Sequence, residues 1–299
     1  MPPTRLAELL GGLSLACDIV NDFAPGKVLR TAVLAVELAR VAGENTDAQR
    51  DALYITLLRY LGCTGFAHEE GKFFGAGDDL TVRNVMALAD ISEPLGTLSA
   101  VVRGVARAAP LVERALAVGR LLSGQAVIDE HAKAQCDTAV RLAQIIGASE
   151  RVQAALRNAC ERWDGKGAPA RLGGEQLAPS LRAHQFADVI ELAHQRFGRD
   201  AALALARRRS ARQLEPRLCA LFEREQPRLF AALEAPDLRE RFLVCEPEPF
   251  ALCDESGVDG VARALAHYVD SEKQLFPRPF ERRGSPVRRR GARVGIRYR

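Results

Sequence analysis

An all-α helical bundle is the fold class this sequence predicts, on three observations. Apolar residues recur at intervals of three and four in segment after segment, the spacing that puts them on one face of a helix. Aromatic residues make up only 6% of the chain. Alanine, leucine and arginine dominate the composition. With 299 residues and 47% hydrophobic content, the chain can bury a large core.

The helices follow in order. Val28, Leu29, Ala32, Val33, Ala35, Val36 and Ala39 form a wide apolar face between Pro25-Gly26 and Gly43, predicting a buried helix with a turn at each end. Further helices are predicted over 48–61, 82–89, 93–109, 110–122 and 133–146, the last stopped by Gly147. Ser149 can cap a helix over 150–162 by accepting from a first-turn amide. The glycine-rich stretch 169–179 reads as a loop, and helices resume over 180–197 and 199–209. Glu246-Pro247-Glu248-Pro249 interrupts helical structure, because each proline removes a donor and restricts its predecessor. Residues 257–271 then start a new helix. From Lys273 onward ten Lys/Arg face the single acid Glu281 with scarcely any periodic apolar residue, so disorder is expected. The organisation expected is a helical domain over 1–245, a linker and further helix over 246–272, and a basic tail over 273–299.

Charge and cysteines narrow the function. Against a whole-chain charge of +4, a tail of +9 leaves −5 on residues 1–272, so overall basicity is no argument for a nucleic-acid-binding body. The seven cysteines, Cys17, Cys63, Cys136, Cys160, Cys219, Cys245 and Cys253, contain no CxxC pair and predict reduced, mostly buried thiols. No run approaches the roughly 18 apolar residues of a membrane span, and Arg5 and Glu8 interrupt the start, so a cytoplasmic protein without membrane association is expected. Gly165-Lys166-Gly167 lacks the frame of a phosphate loop, and no GxSxG elbow occurs. His68, Glu69 and Glu70 read as a solvated loop beside Gly71.

One stretch is more specific. Glu161-Arg162-Trp163-Asp164-Gly165-Lys166-Gly167-Ala168-Pro169 is followed by Gly173-Gly174-Glu175, then by Arg182 and Asp188 six residues apart. Ala206-Arg207-Arg208-Arg209-Ser210 and Leu214-Glu215-Pro216-Arg217-Leu218 come later. This resembles the ERWDGxGYP loop, the downstream arginine and aspartate, and the closing segment of the HD-GYP branch of the HD metal-dependent phosphohydrolases. The likeness is good over 120–225. It extends more weakly to about residue 25, with Leu57-Leu58-Arg59-Tyr60-Leu61-Gly62-Cys63 where the family writes LLHDIGK.

The resemblance implies an HD-domain-like bundle and, in active relatives, hydrolysis of a phosphodiester such as a cyclic dinucleotide by two or three metal ions that activate water. It also implies that the metal site is largely gone. Arg59 and Tyr60 replace the His-Asp pair, Cys63 replaces its lysine, and Ala159 and Cys160 replace a pair of histidines. Gln135 stands at a histidine position with His131 one turn upstream, and near Arg30 and Thr31 Glu37 is the one plausible early ligand. Only Asp188 matches. A relict site for one zinc from His131, Cys160 and Asp188, with Cys136 as a fourth candidate, is the alternative to buried thiols and a paired acid. Ala168 replaces the tyrosine of GYP, Trp163 is expected to anchor the loop, Asp164 to cap it, and Arg182 and Asp188 to form an ion pair or loop anchor.

By this resemblance the chain is expected to be a catalytically impaired regulatory or signalling module with no cofactor, taking a protein partner or small ligand. The alternative is a phosphohydrolase with a rearranged site using Mn, Fe or Zn. The tail is either an arm for nucleic acid or a membrane surface, or the result of a truncated or frame-shifted reading frame, and truncation is the reading adopted, since domains that this one resembles commonly precede a second HD-GYP domain and a LuxR-type helix-turn-helix.

Overall fold

A computed structural model describes residues 4–21, 23–62, 88, 125–254, 257–263 and 266. The sequence-predicted helices over 93–109 and 110–122, most of that over 82–89, and residues Cys63, His68, Glu69 and Glu70 lie outside them.

Helix α1 (Leu6–Val20) leads into α2 (Lys27–Val41), α3 (Thr46–Gly62), α4 (Gln125–Ile145) and α5 (Glu150–Arg157). After a 3-10 turn at Gly174–Gln176 come α6 (Pro179–Phe197), α7 (Arg199–Arg209), α8 (Pro216–Arg224), α9 (Gln226–Leu233) and α10 (Leu238–Cys245). Two short strands, β1 (Thr4–Arg5) and β2 (Leu252–Cys253), pair antiparallel with Thr4 opposite Cys253. This ribbon ties the chain after the Glu246–Pro249 interruption back to the start of α1. None of the described helices is long and apolar enough to cross a membrane.

Helix α2 is the spine. Every residue from Lys27 to Ala39 is buried, because the segment is apolar nearly all round and is surrounded on every side. Val28, Leu29, Ala32, Val33 and Val36 enter one hydrophobic cluster with α1, α3, α4 and α5. Leu34, Ala35, Leu38 and Ala39 enter a second with α6 to α9, which holds the edge-to-face rings of Phe186, Phe222 and Phe230. Asp18 at the end of α1 starts the spine, its carboxylate accepting from the amides of Gly26 (2.8 Å) and Val28 (3.2 Å) in place of an N-cap side chain.

Two boundaries differ from the sequence reading in ways that shape the site. α4 begins eight residues before 133, which places His131 and Gln135 on one helix; the His131 side chain lies outside the described residues. α5 stops at Arg157 instead of 162. There Asn158 turns the chain and Glu161 bonds away from the helix, its Oε1 accepting from the Ala170 amide at 2.6 Å. Ser149 caps α5 as expected, accepting from the Val152 amide at 3.2 Å.

Candidate functional site

Helices α2, α3, α4 and α6 converge with the turn after α5 to gather the motif residues. Two linked clusters result. In the first, the Lys27 ammonium and the Tyr60 hydroxyl both donate to Oδ1 of Asp188. Lys27 sits at the start of α2 and is 1% exposed, with its Nζ 4.0 Å from the centroid of the Tyr60 ring, a cation–π contact. Phe23 packs edge-on against Tyr60 at 5.8 Å. Arg30, one turn further, pairs with the fully buried Glu191 at 2.7 Å.

In the second cluster, the Arg59 guanidinium donates to Gln135 Oε1 at 3.1 Å and to Cys160 Sγ at 3.3 Å. Cys160 Sγ is 3.9 Å from Cys136 Sγ. The contact with Cys160, and to a smaller extent Arg59 and the amides of Ala159 and Cys160, hold the Cys136 thiol down at about 7, against the opposing effect of burial. Arg59 and Tyr60 are consecutive, so α3 joins the two clusters.

The signature loop is cross-braced. Arg162 donates twice to Asp164, through Nε and a terminal nitrogen, each at 2.9 Å, and Asp164 accepts from the Lys166 amide at 3.1 Å. Burial works to raise the Asp164 carboxyl, and the Arg162 and Lys166 donors outweigh it, leaving it below its usual range. The amides of Trp163 and Asp164 donate to the carbonyls of Gln213 and Arg212, so the loop docks on the segment before α8. Gly165 has φ +68°, the left-handed region that favours glycine. Ala168 is buried, and its amide reaches back to the Cys160 carbonyl at 3.2 Å.

Arg182 and Asp188 do not pair. Arg182 bonds to Glu215 at 3.0 Å and lies over the half-buried Trp163 ring at 5.5 Å, while Asp188 belongs to Lys27. Nor does Glu37 face the site: Arg40, Arg228 and Arg241 all bond to its carboxylate. Two members of the site escaped the sequence reading, Lys27 and His184. Lys27 follows a Pro-Gly turn and reads there as a solvated helix end. His184 stands four residues before Asp188, a spacing that puts both on one face of α6.

His184 is 2% exposed, with Nδ1 3.0 Å from the Thr56 hydroxyl. That hydroxyl donates to the Ala52 carbonyl, so Nδ1 carries a proton and donates to the hydroxyl oxygen. Burial pulls the imidazole pKa down to about 4, with Asp188 opposing and Arg59 and Lys27 adding to the fall. Burial also pushes Glu191 up to about 7 against Lys27 and Arg30. For His184, stability is full above the unfolded value of about 6.5 and is lost as pH falls towards 4, because the unfolded chain takes the proton first. Glu191 acts oppositely, since the folded chain binds its proton first. The two slopes therefore offset in the parent, and a comparison isolates His184. Between pH 7 and pH 4, urea unfolding is expected to show the parent losing about 3 kcal/mol relative to His184→Gln. Parallel curves would show that the imidazole is not held neutral.

A divalent metal does not fit this arrangement. An ammonium donates to Asp188, and a guanidinium stands against the Cys160 sulfur. Both are cations where a cation would have to bind. Among the described residues, no three His, Cys, Asp or Glu side chains come close enough to hold a metal ion.

No family model matches the chain, and no curated protein does. Among solved structures, the chain is similar to one described as a cyclic GMP-AMP-specific phosphodiesterase of V. cholerae (V-cGAP3), with a TM-score of 0.68 and 20% identity over 90% of this chain. The match spans 61% of that protein's own chain. The fold is an all-α, HD-domain-like helical bundle.

Proposed function

We propose that the chain is a catalytically impaired HD-GYP-like regulatory module, cytoplasmic and metal-free, that takes a protein partner or small ligand in a signalling or transcription-control pathway, the LuxR-type setting included. The observation that supports this is the Lys27–Asp188–Tyr60 cluster. The single carboxylate matching the family's ligand set is already neutralised by a side chain from within the fold.

A second reading, a cyclic-dinucleotide phosphodiesterase with a rearranged metal site, draws on the activity named for the V. cholerae neighbour. One experiment separates the two. The purified chain is analysed for bound metal, then incubated with Mn, Fe or Zn and a cyclic dinucleotide while hydrolysis is followed by chromatography. Substoichiometric metal and no turnover are expected. Turnover that disappears in Asp188→Ala would overturn the regulatory reading.

A further inference from the structure

Among the described residues of the motif site, the thiols of Cys136 and Cys160 are nucleophiles that the proposed function leaves unused. They come from different elements, Cys136 from the buried face of α4 and Cys160 from the turn after α5, yet their sulfurs are 3.9 Å apart. A disulfide needs about 2.05 Å, so a modest rotation of two side chains and a small shift of the turn would join them. The surroundings favour sulfur chemistry over metal binding. Arg59 stands 3.3 Å from Cys160 Sγ, a charge that stabilises a thiolate and repels a metal ion. Exposure differs in a useful way, Cys160 being half-buried and Cys136 only 3% exposed. A small oxidant meets Cys160 first and leaves Cys136 in place as its partner.

We infer that Cys136 and Cys160 form a reversible oxidation site that takes a peroxide and closes to a disulfide. The Cys160 thiolate attacks one oxygen of hydrogen peroxide, the O–O bond breaks, and hydroxide leaves to take up a proton as water. The Cys160 sulfenic acid is then attacked by the Cys136 sulfur, which loses its proton as the sulfenic hydroxyl departs as a second water. Two thiols are oxidised to one disulfide and one peroxide is reduced to two waters. Because the Cys160 carbonyl holds the Ala168 amide and Gln185 reaches the carbonyls of Ala159 and Glu161, the bond ties the root of the signature loop to α4. The inference rests on the metal-free reading of the pocket, since a bound ion would keep both sulfurs occupied.

The test uses the full chain, treated with stoichiometric hydrogen peroxide and digested without reduction, with bound metal measured on the same sample. The expected result is a cross-linked peptide pair containing Cys136 and Cys160 that dithiothreitol reverses. In Cys136→Ala, dimedone should trap a sulfenic acid at Cys160, a readout independent of the cross-link. A metal-free sample in which both thiols stay reduced, or in which Cys160 pairs elsewhere, overturns the inference alone. A sample that holds stoichiometric metal and forms the cross-link only after chelation overturns the metal-free reading and leaves the thiol pair standing.

Discussion

Replacing Lys27 with Met is expected to lower the stability of the folded chain by roughly 3 kcal/mol, the low end of the range for breaking a buried ion pair. The low end applies because the Asp188 side chain keeps 36% of its surface exposed, so solvent offsets part of the loss. The methionine is close in volume and leaves an apolar group beside the Tyr60 and Phe23 rings in place of the ammonium. What disappears is the charge that holds the Asp188 carboxyl below its usual range, against a burial effect working to raise it. Urea denaturation of the single variants and of Lys27→Met/Asp188→Asn measures this. The double variant should regain most of the loss, because neutralising the carboxylate removes the uncompensated charge. Strict additivity of the two changes would show that the ammonium is not the partner of that carboxylate.

A second large effect is expected at Gly167. A Cβ there would lie 2.3 Å from the Glu161 Cα and 2.6 Å from the Arg162 amide nitrogen, both backbone atoms that no side-chain rotation can move aside. Gly167→Ala should therefore cost at least about 3 kcal/mol, or leave the loop detached from the body. Gly165→Ala provides the contrast. Its nearest obstacle is the Arg171 carbonyl at 3.4 Å, and the penalty is chiefly that of a left-handed residue, about 1 kcal/mol. Thermal unfolding with Trp163 fluorescence reads both, the ring being the chain's one tryptophan and lying in the loop itself. Equal midpoints for the two variants would refute the close approach of the two backbone segments.

Much of the fold was legible because its signals are local. The apolar face of 28–39, Ser149 before α5 and the turn residues at Gly26 and Gly147 each act within a few residues of where they stand. The composition of the signature loop likewise marked Asp164 and the glycines. The site was harder to read, because its pairings join distant positions. Lys27 and Asp188 are 161 residues apart, and the arginines that occupy Glu37 include Arg228 and Arg241, 191 and 204 residues further on. Charged residues give no periodic sign of which opposite charge they will meet. For that reason a spacing of six made Arg182 and Asp188 look like a pair, when each has a partner on another element.

The placement of α2 has a consequence for how the molecule comes apart. One helix supplies the inner wall of both apolar clusters, so stripping either side bares the other half's interior to water. The bundle is thus built to melt as a single cooperative body, and damage on the face that carries Phe222 weakens the opposite face that carries Arg59 and Tyr60.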